Sequence, residues 1–417
     1  MASDVRNESL TEELPAENGL LYSSYAALYR DELVDNVLPF WLKHSRDEKN
    51  GGFFTCLRRD GSVYDTDKFM WLQGRQVWCF SYMYNNVAQK QEWLDMALHG
   101  AAFMEKYGRD ATAGNWYFSL NAEGKPLTQP YNIFSDCFAA MGFASLDKAS
   151  PNDRYKQIAV DTFENILRRK DNWKGIYNKA YPGTRLLKGF SLPMILCNLS
   201  LELEHLLGAG RVNEFIPTVI HEVMEVFYQP QYGLILESVH PDGSFSNSFE
   251  GRLINPGHTI EAMWFIMDLG RRMKDKTLIQ KACDIMLHTL EYGWDKEFGG
   301  IYYFKDVLGN PPQQLEWDQK LWWVHVEALV ALAKGFELTG DERCLKWFKK
   351  VHQYTWQHFR DEQYGEWFGY LNRRGEVLLD LKGGKWKGCF HIPRSLYQVW
   401  KTWEAVEANA DADKLPG

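Results

Sequence analysis

The sequence predicts an all-α protein, an (α/α)6 barrel or toroid of six helix-pair repeats with short β-hairpins at one end, and three observations predict it. A glycine followed by strand-like alternation of aromatic and aliphatic residues recurs as GGFFTCL, GNWYFSL, GIYNKAY, GLILESV, GGIYYFK and GEWFGYL, beginning at Gly51, Gly114, Gly175, Gly233, Gly299 and Gly365. The period of about 60 residues is that of an array of one supersecondary unit. Polar turns such as RRDGSV, NAEGKP, HPDGSF and NRRGEV follow these runs, and two stretches with apolar residues at three-to-four spacing then fill each interval.

In chain order, the stretches that follow the turns predict helices over 72–84, 133–145, 192–206, 258–270, 322–338 and 391–403. A second set over 92–107, 155–168, 213–227, 276–292 and 342–359 precedes the next glycine. The first set is the more apolar and must be covered on more than one side, so it forms the inner ring. Residues at the N-terminal ends of that ring then converge on a central pocket.

A chain of 417 residues could hold two or three domains, but 45% hydrophobic and 15% aromatic residues suffice for one large core. We expect a single catalytic domain over 20–417 behind a disordered acidic lead-in at 1–19, which has neither a signal-peptide nor a transit-peptide pattern. A net charge of −8 without a basic stripe argues against nucleic acid and anionic membrane surfaces, leaving a neutral small molecule as the fitting partner. Seven cysteines with no C-x-x-C pair read as reduced core residues. No stretch approaches eighteen uncharged apolar residues, so no membrane span is expected and the location is cytoplasmic.

Two histidines stand where two inner helices begin. His258 follows a Pro-Gly break in NPGHTIEAMWF with Glu261 one turn on, and His391 follows the Gly-rich approach KGGKWKGCF. Residues three apart share a helix face, so Glu261 is placed to orient His258 or raise its basicity. Equivalent slots offer Arg75 in DKFMWLQGRQVW, Met194 and Asn198 in KGFSLPMILCNL, and Trp322, Trp323, His325 and Glu327 in QKLWWVHVEALVAL. His325 and Glu327 lie two apart, so only one of them can face the pocket. Taken singly, each has a bland alternative: an ion-paired arginine, a satisfied core histidine, a core tryptophan. Matched histidines in equivalent slots, with Arg75 and Glu327 in two more, form a constellation that packing does not require.

The four runs DKFMWLQGRQVW, NPGHTIEAMWF, QKLWWVHVEALVAL and KWKGCFHIPRSL resemble, in order, the motifs of the N-acylglucosamine 2-epimerase family, over about residues 21–403. The resemblance implies an (α/α)6 barrel that interconverts N-acetylglucosamine and N-acetylmannosamine without a redox cofactor. It implies that His258 and His391 match the catalytic histidines and that Arg75 and Glu327 match pocket residues. Inverting carbon 2 requires removing a weakly acidic proton beside the carbonyl and returning one to the opposite face, which two histidines can do near neutral pH. Arg75 suits the enediolate charge, Glu261 orients His258, and Glu327 binds a hydroxyl or orients a histidine. Trp323 and Trp386 flank the sugar, with Met194 and Asn198 as further contacts. No cofactor is required. ATP enters only as an allosteric activator implied by the resemblance, because GKP at Gly124 and GKW at Gly384 lack the phosphate-loop context. The expected assembly is a homodimer.

Other functions compete. Cellobiose 2-epimerases and mannose isomerases of the same barrel family share the G-H-x-I-E-A run, but they carry a third-repeat histidine where this chain has PMILCNL. A metal-dependent isomerase could use His258, Glu261 and His391 as ligands. A glycoside hydrolase would need paired carboxylates in slots that hold histidines here. A non-catalytic binding protein is raised by Leu192, Leu199 and Leu206 at heptad spacing, although three such leucines read first as core.

Overall fold

A computed structural model describes residues 18–412 apart from 173, 180 and 182. The expected acidic lead-in therefore lies outside the described residues up to position 17. Asn18 and Gly19, which the expected lead-in included, belong to a helix.

The helices, in order, are α1 (Asn18–Asp31), leading through a π-helical stretch at Glu32–Val37 into α2 (Leu38–His44), then α3 (Met70–Asn86) and α4 (Gln91–Tyr107). Next come α5 (Phe134–Ala149), α6 (Asp153–Arg169), α7 (Ser191–Glu202), the single turn α8 (Glu204–Leu207) and α9 (Ala209–His221). The series ends with α10 (Pro256–Met273), α11 (Lys276–Gly293), α12 (Trp322–Thr339), α13 (Glu342–Phe359) and α14 (His391–Ala412).

Helices α3, α5, α7, α10, α12 and α14 form the inner ring, as their apolar composition requires. The contrast is plain in one repeat: α12 buries every residue from Trp322 to Gly335, whereas α13 buries a single stripe that includes Phe348, Val351 and Phe359. The ring closes where Tyr82 of α3 meets Tyr397 of α14 edge-on, with ring centroids 5.3 Å apart. The sequence pattern missed the outer partner of α14. It is α1, whose Tyr22 stacks on Trp403 at 5.3 Å.

Inner helices α3 and α5 meet backbone to backbone. A Cβ on Gly74 would lie 2.5 Å from the Phe138 carbonyl oxygen, so only glycine permits this approach. Across the open end of the ring, short antiparallel pairs tie the start of an inner helix to the next hairpin: Lys68–Phe69 with Ser119–Leu120, Lys188–Gly189 with Ser238–Val239, Leu253–Ile254 with Lys305–Asp306, and Lys320–Leu321 with Tyr370–Leu371. These ties fix the helix N-termini that surround the pocket.

Two local expectations fail. The GIYNKAY run forms a 3-10 turn at Gly175–Tyr177 rather than a strand, and Ile176 is 90% exposed. Elsewhere the turn is anchored by an aspartate: Asp47 accepts the backbone N–H groups of Lys49 and Asn50 and the buried Lys68 ammonium, and Asp295 pairs with buried Lys320 in the same way. In the third repeat the corresponding Asp171 is exposed and, among the described residues, pairs with its neighbour Lys170. The helix expected over 192–206 is also broken, at Leu203. Leu192 and Leu199 are core residues of α7, while Leu206 belongs to α8, so the three leucines form no continuous stripe for a partner helix. All seven cysteines are buried free thiols, and no helix among the described residues is long and apolar enough to cross a membrane.

Candidate active site

The inner-helix N-termini surround a cavity of about 600 Å³, a size suited to a small molecule. His258 reaches it from the first turn of α10. Asn255 caps that helix by accepting the His258 backbone N–H at 3.2 Å, and Pro256 supplies a preset first helical residue. Gly257 lets α10 press against α12, because a Cβ there would stand 2.7 Å from Val324 and 2.8 Å from Trp323.

The His258 Nδ1–H donates to Glu237, with both carboxylate oxygens at 3.0 Å. That bond fixes the tautomer and leaves Nε2 for a ligand. Burial lowers the pKa of the imidazole, but the charge and hydrogen bond of Glu237 outweigh burial and the net shift is upward.

His391 opens α14 and follows the same plan with the opposite electrostatics. Its Nδ1–H donates to Glu327 Oε1 at 2.7 Å. Glu327 also accepts from Arg394 at 2.6 Å and, through Oε2, from the Trp264 indole at 2.9 Å. Burial drives the His391 pKa well below the usual histidine value, with Arg75 and Arg394 adding positive charge that outweighs Glu261. Trp323 packs against both imidazoles, its ring 5.2 Å from His258 and 5.8 Å from His391.

Arg75 projects from α3 into the same cavity. Its guanidinium rests against Phe138 at 3.9 Å, Trp71 at 4.8 Å and Phe390 at 4.9 Å, and it has no carboxylate partner among the described residues. Nε is buried and unbonded, and burial pulls the group down to about 9 against the raising effect of Glu261 and Glu327. A desolvated cation without a counter-ion, beside two imidazoles whose pKa values are driven apart, is an arrangement for moving a proton and stabilising the anion that results.

The profile of the family described as N-acylglucosamine 2-epimerase (GlcNAc 2-epimerase) matches residues 52–394. The chain belongs to the N-acylglucosamine 2-epimerase family. It is 39% identical over 379 residues to the N-acylglucosamine 2-epimerase of Mus musculus, covering 88% of this chain and 89% of that one. It is 25% identical over 401 residues to a cellobiose 2-epimerase of Ruminococcus albus, covering 89% and 97%. In three dimensions it is similar to the cellobiose 2-epimerase of Spirochaeta thermophila, with a TM-score of 0.80 at 20% identity over 94% of this chain and all of that one.

Within this family member, the cavity brings together His258, His391, Arg75, Glu261, Met194, Trp323 and Trp386, the last half-exposed at the rim and edge-on to Trp71 at 5.3 Å. Several expected roles change. Glu261 shares the face of His258 but does not orient it, because the imidazole turns to Glu237 and the Glu261 carboxylate is captured by Arg394. Of the two roles expected for Glu327, the fully buried carboxylate takes the second, accepting the His391 Nδ1–H. Asn198 lies one turn beyond Met194, in the core and away from the cavity wall. His325 is a core residue: Nδ1–H donates to the Leu321 carbonyl at 2.7 Å, Nε2 accepts the Ile301 N–H at 2.9 Å, and burial pushes its pKa down to about 3.

Glu237 and Arg394 were missed. Glu237 is one of two acidic residues in the six glycine-led runs, with Glu366, and Arg394 follows His391 by the interval that separates Glu261 from His258, so both left a trace in the sequence. Glu261, Glu327 and His391 bring ligand atoms within 4.8 Å of one another, a metal-like cluster. Arg394 bridges the two carboxylates and supplies the positive charge that a divalent ion would bring, so the donor set fits a guanidinium better than a metal.

Proposed function

We propose that the protein is an isomerase that interconverts N-acetyl-D-glucosamine and N-acetyl-D-mannosamine. The observation that carries this is the pair of imidazoles, each held through Nδ1 by its own carboxylate and both packed against Trp323, with Arg75, unpaired among the described residues, in the same cavity. Family membership and the 39% identity to the mouse enzyme support it.

In the open-chain sugar, neutral His391 accepts the carbon-2 proton from one face. The C–H electron pair becomes the C1–C2 double bond of an enolate as the carbonyl electrons move to O1. Arg75 faces that oxygen charge, and cationic His258 returns a proton to carbon 2 from the other face. In the reverse direction the roles exchange. Trp323 and Trp386 flank the sugar. The same proposal requires no cofactor, keeps ATP as an effector, and assigns a cytoplasmic homodimer.

Cellobiose epimerisation or mannose isomerisation is the second candidate. It is disfavoured by the lower identity, 25% to the cellobiose 2-epimerase of Ruminococcus albus against 39% to the mouse enzyme. The deciding experiment is proton NMR in deuterium oxide with N-acetylglucosamine, N-acetylmannosamine and cellobiose. Epimerisation of the N-acyl sugars with deuterium at carbon 2 is expected, and turnover of cellobiose or mannose alone would refute the proposal.

A further inference from the structure

The cavity is chemically divided. Its titratable groups stand mainly on α3, α10 and α14, whereas the wall made by α5 and α7 contributes Asn132, Phe134, Phe138, Ser191, Met194 and Ile195, none of which carries a charge. Phe138 and Met194 are almost fully buried, so this wall presents a firm apolar surface with a carboxamide and a hydroxyl beside it.

Asn132 sits just ahead of α5, and its side chain is half committed. Oδ1 accepts the Phe134 N–H at 2.8 Å, the bond of an Asx turn that starts the helix. The acceptor is thereby used, and the carboxamide NH2 is the part left for a ligand. A hydrogen-bond donor next to aromatic and thioether surface is complementary to a carbonyl oxygen carrying a methyl group.

The ring order places that wall where such a group would point. His258 on α10 and His391 on α14 flank α12, whose Trp323 ring stands 5.2 Å from one imidazole and 5.8 Å from the other. With carbon 2 between the imidazoles and Trp323 on one side, substituents in the plane of a carbon-2 enolate extend away from α12. Arg75 on α3 faces the oxygen of carbon 1, and the neighbouring wall in the ring is that of α5. The nitrogen on carbon 2, adjacent to that oxygen in the same plane, is directed there.

We infer that the α5–α7 wall is the subsite for the acyl group on the carbon-2 nitrogen, with the Asn132 NH2 donating to the acyl oxygen and Phe134, Phe138 and Met194 packing on its methyl. The inference rests on the epimerase proposal for the same cavity and goes further by assigning which residues select an N-acylated sugar.

The test is Asn132→Asp, which keeps an oxygen for the Phe134 N–H and so preserves the turn while replacing the donor NH2 with a carboxylate oxygen, beside Asn132→Ala, which removes the donor without adding charge. Isothermal calorimetry would compare N-acetylglucosamine with glucose on the wild-type protein, on Asn132→Asp and on Asn132→Ala, with circular dichroism as the fold check. The expected result is that both variants bind N-acetylglucosamine roughly tenfold or more weakly, the loss of one directed hydrogen bond, while glucose binding is unchanged. In turnover, KM for N-acetylglucosamine should rise with kcat nearly preserved. Unchanged N-acetylglucosamine binding by folded Asn132→Asp, or equal weakening of both sugars, would overturn the subsite. Preference for the N-acyl sugar that depends on Asn132 in a protein that does not epimerise it would instead leave the subsite standing and remove the epimerase proposal.

Discussion

Glu237, on the hairpin of one repeat, accepts the Nδ1–H of His258 on the following inner helix at 3.0 Å; burial lowers the imidazole pKa, and the charge and hydrogen bond of Glu237 together with the charge of Glu261 turn the net shift upward. Replacing the carboxylate with a neutral amide keeps the shape and removes the charge. Glu237→Gln should therefore lower the pKa of His258 and reduce kcat about 10–100-fold with little loss of thermal stability, because an orienting partner rather than a reacting group is changed. Wild-type kcat in this variant, measured by coupled assay, would show that Glu237 is dispensable.

The pH profile of kcat/KM follows from the two opposed shifts. His391 is lowered, so its neutral form persists below 6.5 and is lost only as pH falls well under that value. His258 is raised, so its cation persists above 6.5 and is lost as pH rises through its raised value. The profile should be a broad plateau with its acid limb below 6.5 and its alkaline limb above, and Glu237→Gln should move the alkaline limb down. A narrow bell centred on 6.5 would contradict the opposed electrostatics.

Arg394 neutralises Glu261 and Glu327 together. Arg394→Met leaves both carboxylates buried without their cation, which should cost on the order of 3–5 kcal/mol of stability, read as a lower denaturant midpoint. It also removes a positive charge beside His391, so in whatever fraction stays folded the acid limb of the pH profile should move up. Arg394→Lys should recover part of the stability.

Gly257 is needed for the approach of α10 to Trp323 and Val324. Gly257→Ala should displace His258 relative to His391 and reduce kcat at least tenfold, since misplacement of a reacting group by about 1 Å can cost 100-fold. Thermal unfolding and activity measured on the same sample separate this from simple unfolding. Full activity with an added methyl would show that α10 can slide without consequence.

The two-base mechanism makes its own prediction. His258→Asn and His391→Asn should each abolish net epimerisation. One variant should still exchange the carbon-2 proton of N-acetylglucosamine with deuterium oxide, and the other that of N-acetylmannosamine. Each lost base corresponds to about 3–6 kcal/mol in the barrier. A folded single variant with near-normal epimerisation would reduce that histidine to a structural role.

The sequence by itself determined the repeat, the inner helix set, five of the outer helices, and the slots of His258, His391, Arg75 and Glu327, because periodicity and position in a repeat are written along the chain. Helix α12 illustrates this, since its apolar run could only be covered on all sides. The partner of each slot residue was decided by tertiary structure. Glu261 was the natural partner for His258 by helical spacing, yet the competition was settled by Arg394, which comes from α14 and was brought within reach only by ring closure. Glu237 comes from a hairpin whose orientation depends on its pairing, and Asn198 lost its expected place because one further turn of α7 carries a side chain from the cavity wall into the core. Local spacing selects which residues share a face; where several charged groups converge in a space that excludes water, the pairing is fixed by the three-dimensional arrangement of all of them, and a linear pattern does not contain it.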